Sequence, residues 1–231
     1  MTAWFVTGTD TGVGKSLVAA ALMHRLRERF ARVAGMKPVA AGSHQLADGR
    51  WTNDDVLALR DAATVDAPLP LINPFLLHAA VSPHIAAQRD GVTIELQHIV
   101  DALAELRARS DAVVVEGAGG LLVPLGNSLD GGDLAQALGL PIVLVVGLRL
   151  GCLNHALLTA EAIASRGLRL AGWIANRIDP QMPEQQANID LLAHRLGAPC
   201  IGDLPFASPA NARAAAAHLQ LDDAFFQGPT P

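Results

Sequence analysis

Nine residues near the start of the chain, Gly8-Thr9-Asp10-Thr11-Gly12-Val13-Gly14-Lys15-Ser16, decide how the rest is read. They end in Gly-Lys-Ser, as a phosphate-binding loop does. The common form, G-x-x-x-x-G-K-[ST], places four residues between its glycines. Here five intervene, Thr9 to Val13. An apolar run, Trp4-Phe5-Val6-Thr7, precedes the loop. After it, Leu17, Val18, Ala21, Leu22, Leu26 and Phe30 recur at the spacing of a helix with one buried face. A strand, a glycine loop and a helix start in that order turn free backbone N–H groups toward an anion. Gly14 lets the backbone approach a ligand closely. Lys15 would reach the terminal phosphates, and the Ser16 hydroxyl would bind Mg2+.

Further along, short apolar runs alternate with helical patterns. Val33–Met36, Ala112–Val115, Pro141–Val146, Leu170–Ala175 and Cys200–Gly202 read as strands. The stretches Leu96–Arg107 and Leu157–Ser165 read as helices. The strands are continuously apolar rather than alternating, which marks strands covered on both faces. The expected fold is α/β: a doubly wound, mostly parallel sheet of the P-loop NTPase type, in one domain spanning residues 1–231. The chain is 51% hydrophobic and 17% charged, with a net charge of −5. Such a balance lacks the basic footprint of a nucleic-acid binder. No apolar run approaches the length of a membrane span, and no basic-then-apolar leader precedes the first strand, so a cytoplasmic location is expected. Cys152 and Cys200 lie in apolar surroundings and read as reduced core thiols.

Ligands of an open α/β sheet bind beyond the carboxyl ends of its strands. The phosphate loop follows the first strand and Lys37-Pro38 the second. Glu116-Gly117-Ala118-Gly119-Gly120 follows the third, Gly151-Cys152-Leu153-Asn154-His155 comes after the fourth, and Asn176-Arg177 follows the fifth. Glu116 is placed where a P-loop ATPase keeps a carboxylate for its metal. Asp54 and Asp55 offer a second carboxylate, although alone they read as the N-cap of a helix over Val56–Asp61. Asn154 is likewise positioned to cap the helix over Leu157–Ser165.

Together these stretches resemble the dethiobiotin synthetases over nearly the whole chain. The resemblance takes in the nine-residue loop, Lys37-Pro38-Val39-Ala40-Ala41-Gly42, Ser82-Pro83-His84-Ile85, Val115–Gly120, Leu150–His155, Ala171–Asn176 and Leu204-Pro205. The extra loop residue is itself a mark of that family. It implies conversion of 7,8-diaminononanoate, CO2 and ATP into dethiobiotin, ADP and phosphate, through a carbamate and a carbamic–phosphoric anhydride. By resemblance, Lys15, Lys37 and Thr11 are the catalytic residues, and Ser16, Asp55 and Glu116 the Mg2+ ligands. The loop residues Gly12, Val13, Gly14, Lys15, Ser16 and Leu17 would hold the nucleotide, with Asp55, Glu116, Gly117, Ala118 and Gly119. Asn176 and Arg177 would meet the base, lined by Pro205, Phe206 and Ala207. Lys37, Ala41 and Gly119 would contact the diamine, together with Gly151, Cys152, Leu153 and Asn154 supplied by the partner of a homodimer.

The chain departs from the family pattern in places. Gly12 stands where some members carry glutamate, Ala41 where some carry serine, and Ser16 where threonine is commoner. The chain has no tyrosine, so a tyrosine that meets the substrate carboxylate in some members is replaced, with Asn188 as the candidate. Partition-type regulatory ATPases share the long loop and form the alternative class. They carry a lysine where this chain has Asp10, and the Lys-Pro motif also argues against them.

Overall fold

The computed structural model describes residues 2–226. The chain opens with β1 (Thr2–Gly8), the phosphate loop and α1 (Lys15–Leu26), then β2 (Val33–Met36), β3 (Val39–Ala41), β4 (His44–Gln45) and β5 (Trp51–Thr52). Next come α2 (Asp54–Ala62), α3 (Leu69–Ile72), β6 (Phe75–Leu77), α4 (Pro83–Asp90) and α5 (Leu96–Ala108). The second half runs β7 (Ala112–Gly120), α6 (Gly131–Leu138), β8 (Ile142–Gly147), α7 (Cys152–Ser165) and β9 (Leu170–Asn176). It closes with α8 (Gln185–Arg195), β10 (Cys200–Leu204), α9 (Ala212–Ala216) and α10 (Asp223–Phe226).

Six strands form one parallel sheet in the order β10-β9-β8-β1-β7-β2. β1 lies at its centre, pairing Val6 with Glu116 of β7 and with Val143 of β8. Successive side chains leave a strand on opposite faces, and the core divides accordingly. Phe5, Val113 and Val115 join the cluster under α5 and α6, whereas Trp4, Val6 and Val114 join the cluster under α1. A third cluster packs Leu144, Val146 and Trp173 against α7 and α8. α1 is buried almost all round, from Val18 to Met23. Its three consecutive alanines, Ala19 to Ala21, let it sit close between the sheet and α2 and α9.

The phosphate loop is shaped by Gly14, the N-cap of α1, at φ 90°. A β-carbon there would come within 2.2 Å of the Asn176 amide nitrogen. The left-handed backbone and the crowding both require glycine. Two caps differ from expectation. α2 is capped by Asn53, whose side chain accepts from the Asp55 N–H, leaving Asp54 and Asp55 inside the first turn. α7 begins at Cys152 rather than near Leu157, with Gly151 as its N-cap at φ 96°. Asn154 therefore lies within the first turn and caps nothing. A glycine in the left-handed region turns the chain into the helix three residues before the polar side chain that marks a cap in the sequence.

The sequence also gave no sign of two small sheets, parallel β3–β6 and antiparallel β4–β5. They fill the long stretch between β2 and α4, where the short pairings leave no long apolar run. Cys152 is buried and Cys200 half-buried, and both are free thiols. Among the described residues no helix is long and apolar enough to cross a membrane.

The last described helix packs onto the sheet. Trp4 of β1 stacks on Phe225 of α10 with ring centroids 5.0 Å apart and planes within 7°. Phe226 meets the Trp4 ring edge-on at 5.9 Å. Phe225→Ala should cost about 3–5 kcal/mol, read as a shifted urea midpoint. A loss below about 1 kcal/mol, the scale of an ordinary surface change, would show that α10 is not part of the core.

Candidate active site

The carboxyl ends of β1, β2 and β7 open into a cleft of about 590 Å³. Thr11, Lys15 and Ser16 come to it from the phosphate loop and α1, and Lys37 from the end of β2. Asp55 comes from the first turn of α2, and Glu116 from β7. The rest of the lining is mostly aliphatic, Val39, Ala41, Ala80, Val81, Pro83 and Val123, with Ser82 among them. Of these only Ala41 was expected. The Ala80–Pro83 segment reaches the cleft because β3 and β6 pair in parallel, from Val39↔Phe75 to Ala41↔Leu77.

The charged groups form one connected cluster. Lys37 Nζ lies 2.6 Å from Glu116 Oε1 and 2.7 Å from Asp55 Oδ2, and donates to the Gly117 carbonyl at 3.1 Å. The three ammonium protons are thus all engaged. Glu116 is fully buried and Lys37 is 3% exposed. Burial pulls the Lys37 ammonium down, but Glu116 and Asp55 outweigh it and hold the pKa above the usual lysine value. For Asp55, burial pushes the carboxyl up, and the stronger combined pull of Lys37 and the Ser16 hydroxyl leaves it low. Lys15 has no carboxylate bonded to it, and its Nζ donates to the Asp10 carbonyl at 2.8 Å. Burial and the nearby Lys37 charge lower its pKa to about 8.

Ser16 Oγ stands 2.6 Å from Asp55 Oδ1 and 2.8 Å from Glu116 Oε1. One hydroxyl has one proton, so it can donate to only one of these oxygens. Glu116 Oε2 is buried with no hydrogen-bond partner. Mg2+ takes oxygen ligands at about 2.0–2.1 Å in an octahedron, placing neighbouring oxygens about 2.9 Å apart. The Ser16–Asp55 and Ser16–Glu116 oxygen separations are close to that spacing, so the donor set suits such an ion. Among the described residues no set of three or more His, Cys, Asp and Glu side chains could hold a metal without other ligands. A site with few protein ligands is the kind Mg2+ uses together with substrate phosphates.

The other expected residues are placed as follows. Gly12, Gly14, Ala118 and Gly119 line the cleft. Val13 is buried and its carbonyl accepts from Asn176 Nδ2 at 2.8 Å, which ties the end of β9 to the loop. Leu17 packs against the core beneath α1. Arg177 makes a paired contact with Asp203, Nε and Nη2 each at 2.8 Å. Pro205, Phe206 and Ala207 are exposed beyond β10, with Phe206 half open to solvent. Gly151, Cys152, Leu153 and Asn154 do not line the cleft of their own chain, and Gly151 and Asn154 are exposed. Asn188 does not line it either; its amide donates to the Glu184 carbonyl within its own helix at 2.8 Å. Asp10, expected only to distinguish families, knots the loop. Its carboxylate accepts from the Thr11 N–H and pairs with Arg149.

A family described as an AAA domain matches residues 2–214. Among solved structures, the MinD cell division protein of Aquifex aeolicus is 16% identical and superposes with a TM-score of 0.57, covering 94% of each chain. A ParA family ATPase of Chlorobium tepidum is 16% identical at a TM-score of 0.53, covering 93% of this chain and 88% of its own. At such identity these show a shared P-loop fold. Closer in sequence is the ATP-dependent dethiobiotin synthetase BioD of Aromatoleum aromaticum, 52% identical over 95% of this chain and 97% of that protein. The protein of the same name from Ralstonia nicotianae is 56% identical over 94% of each. With the loop, the buried lysine and the paired carboxylates in place, the chain belongs to the dethiobiotin synthetase family.

Proposed function

We propose that this protein closes the ureido ring of dethiobiotin from 7,8-diaminononanoate, CO2 and ATP in the cytoplasm, with Mg2+ bound by Ser16, Asp55 and Glu116. The observation that carries the reading is the buried Lys37 ammonium, held by Glu116 and Asp55 beside Lys15 and the phosphate loop. Two cations flanking a phosphate loop suit a reaction in which an anion attacks a phosphate. One amine of the substrate adds to CO2 and loses a proton, giving a carbamate. A carbamate oxygen attacks the γ-phosphorus, the bond to the β-phosphate oxygen breaks, and ADP leaves. The second amine then attacks the carbamoyl carbon of the mixed anhydride, releasing phosphate and a proton.

The chain's contribution is position and charge. Lys37 and Lys15 lower the repulsion between carbamate and phosphate, and the loop N–H groups hold the transferring phosphoryl group. Bound Mg2+ would neutralise charge on the phosphate oxygens. The mostly aliphatic lining from Val39 to Val123 is suited to the methylene chain of the diamine. Asn176, Arg177 and Pro205–Ala207 would receive the base at the far end of the loop.

A homodimer completes the proposal. Gly151–Asn154 would serve the partner's cleft, which agrees with the exposure of Gly151 and Asn154 in this chain, while Cys152 is buried and Leu153 half-buried. Leu122, Leu150 and Leu158 are exposed, Leu150 almost entirely. Leu122 and Leu158 line one groove with Thr9 and His155, a surface a second copy would cover.

Phosphate release from ATP and bicarbonate should require the diamine. Turnover without it, or turnover roused by a polymer instead, would overturn the reading and favour the regulatory class. A second expectation concerns pH. With Lys15 near 8 in the free protein, bound phosphate must raise its pKa. Affinity for ATP should then be fully present below pH 8 and fall as pH rises toward the raised value, with proton uptake on binding. Calorimetry in buffers of different ionisation enthalpy measures that uptake. A pH-independent affinity between 7 and 9, on the scale set by that value, would show that Lys15 does not meet the phosphates.

A further inference from the structure

Asn73 is buried and lies outside the cleft. It ends α3, donating its N–H to the Leu69 carbonyl at 2.7 Å. Pro74 follows it and favours extended backbone at the residue before it, and Asn73 has φ −139°. Its side chain turns back onto Lys37. Nδ2 donates to the Lys37 carbonyl at 2.6 Å and to the Phe75 carbonyl at 3.1 Å. On either side of this contact, the Lys37 N–H donates to the Ile72 carbonyl at 2.7 Å, and the Phe75 N–H to the Pro38 carbonyl at 3.0 Å.

These bonds fall where the chain changes sheets. β2 pairs with β7 as far as Met36↔Val115, and β3 pairs with β6 from Val39↔Phe75. Lys37 and Pro38 lie between the two pairings, and Pro38 has no N–H to offer. We propose that Asn73 is a positioning residue for the reaction: its amide, with the Ile72 carbonyl, clamps the Lys37 backbone and thereby sets where the Lys37 ammonium stands. A lysine side chain is long and flexible, so the placement of its nitrogen depends on how firmly its backbone is held. A shift of about 1 Å in a reacting group costs on the order of a hundredfold in rate. A purely structural Asn73 would satisfy one buried and one partly buried carbonyl and affect stability alone.

The inference rests on the catalytic role proposed for Lys37, and the experiment separates the two. Asn73→Ala removes the donor, and Asn73→Ser keeps a shorter one. Thr64→Val is the control, since Thr64 Oγ1 bridges the Val33 N–H and the Ala31 carbonyl, each at 2.8 Å, at the other end of β2. Below its melting temperature Asn73→Ala should lose about ten- to a hundredfold in kcat while holding ATP within about twofold, because the phosphate loop is untouched. Asn73→Ser should fall between it and the parent. Thr64→Val should lower Tm and leave kcat alone. Added to Lys37→Ala, Asn73→Ala should remove little further activity, since both changes act on one group. A parental kcat in Asn73→Ala, a parallel loss of ATP affinity, or unfolding of both Asn73 variants would overturn the proposal. Normal turnover in Lys37→Ala would instead overturn the role of Lys37 itself.

Discussion

The site depends on a lysine taken almost wholly out of water. Lys37 is tolerable there because Glu116 and Asp55 meet it within 2.7 Å and the Gly117 carbonyl takes its third proton. Removing one member of such a buried cluster leaves an uncompensated charge, which costs several kcal/mol. The surrounding architecture keeps the partners in reach. Glu116 is opposite Val6 in the central strand pair, so its carboxylate is fixed to the strand that leads into the phosphate loop. Asp55 is held by the Asn53 cap, which aims the first turn of α2 at the cleft. Ser16 joins both carboxylates to the start of α1. Phosphate loop, the proposed metal ligands and the buried lysine therefore form one unit.

Coupling of this kind explains why Lys15 and Lys37 differ. Lys37 is charge-balanced, and its pKa stays high. Lys15 has only a backbone carbonyl and the distant fields of the carboxylates, and its pKa falls to about 8. Lys37 stays charged, while Lys15 would be strengthened by the anion that the proposed function brings to it.

Much of the fold was legible because fully buried parallel strands leave unbroken apolar runs. Val33–Met36 is found as expected; β1, β8 and β9 run a single residue past their expected carboxyl ends, β10 runs to Leu204 and β7 through Gly120, while β8 starts at Ile142 rather than Pro141. The phosphate loop was legible because its chemistry is local. What escaped detection depends on chain returning from a distance. The Ala80–Pro83 segment reaches the cleft only through the β3–β6 pairing, and Asn73 meets Lys37 across 36 residues. An Asn-Pro step in a sequence marks a chain break, with no sign of what its amide faces. The start of α7 was misplaced for the opposite reason: a local signal, the polar Asn154, was outweighed by the turn at Gly151.

Burial pushes the Glu116 carboxyl up and Lys37 pulls it back down; the central claim is that the proposed site needs it ionised, its charge shared between Lys37 and bound Mg2+. Glu116→Gln keeps the shape and deletes that charge, so titrating Mg2+ against turnover at saturating ATP tests it most directly. The account predicts a large loss of maximal rate and a curve displaced to higher Mg2+. A curve superimposable on that of the parent protein would contradict it.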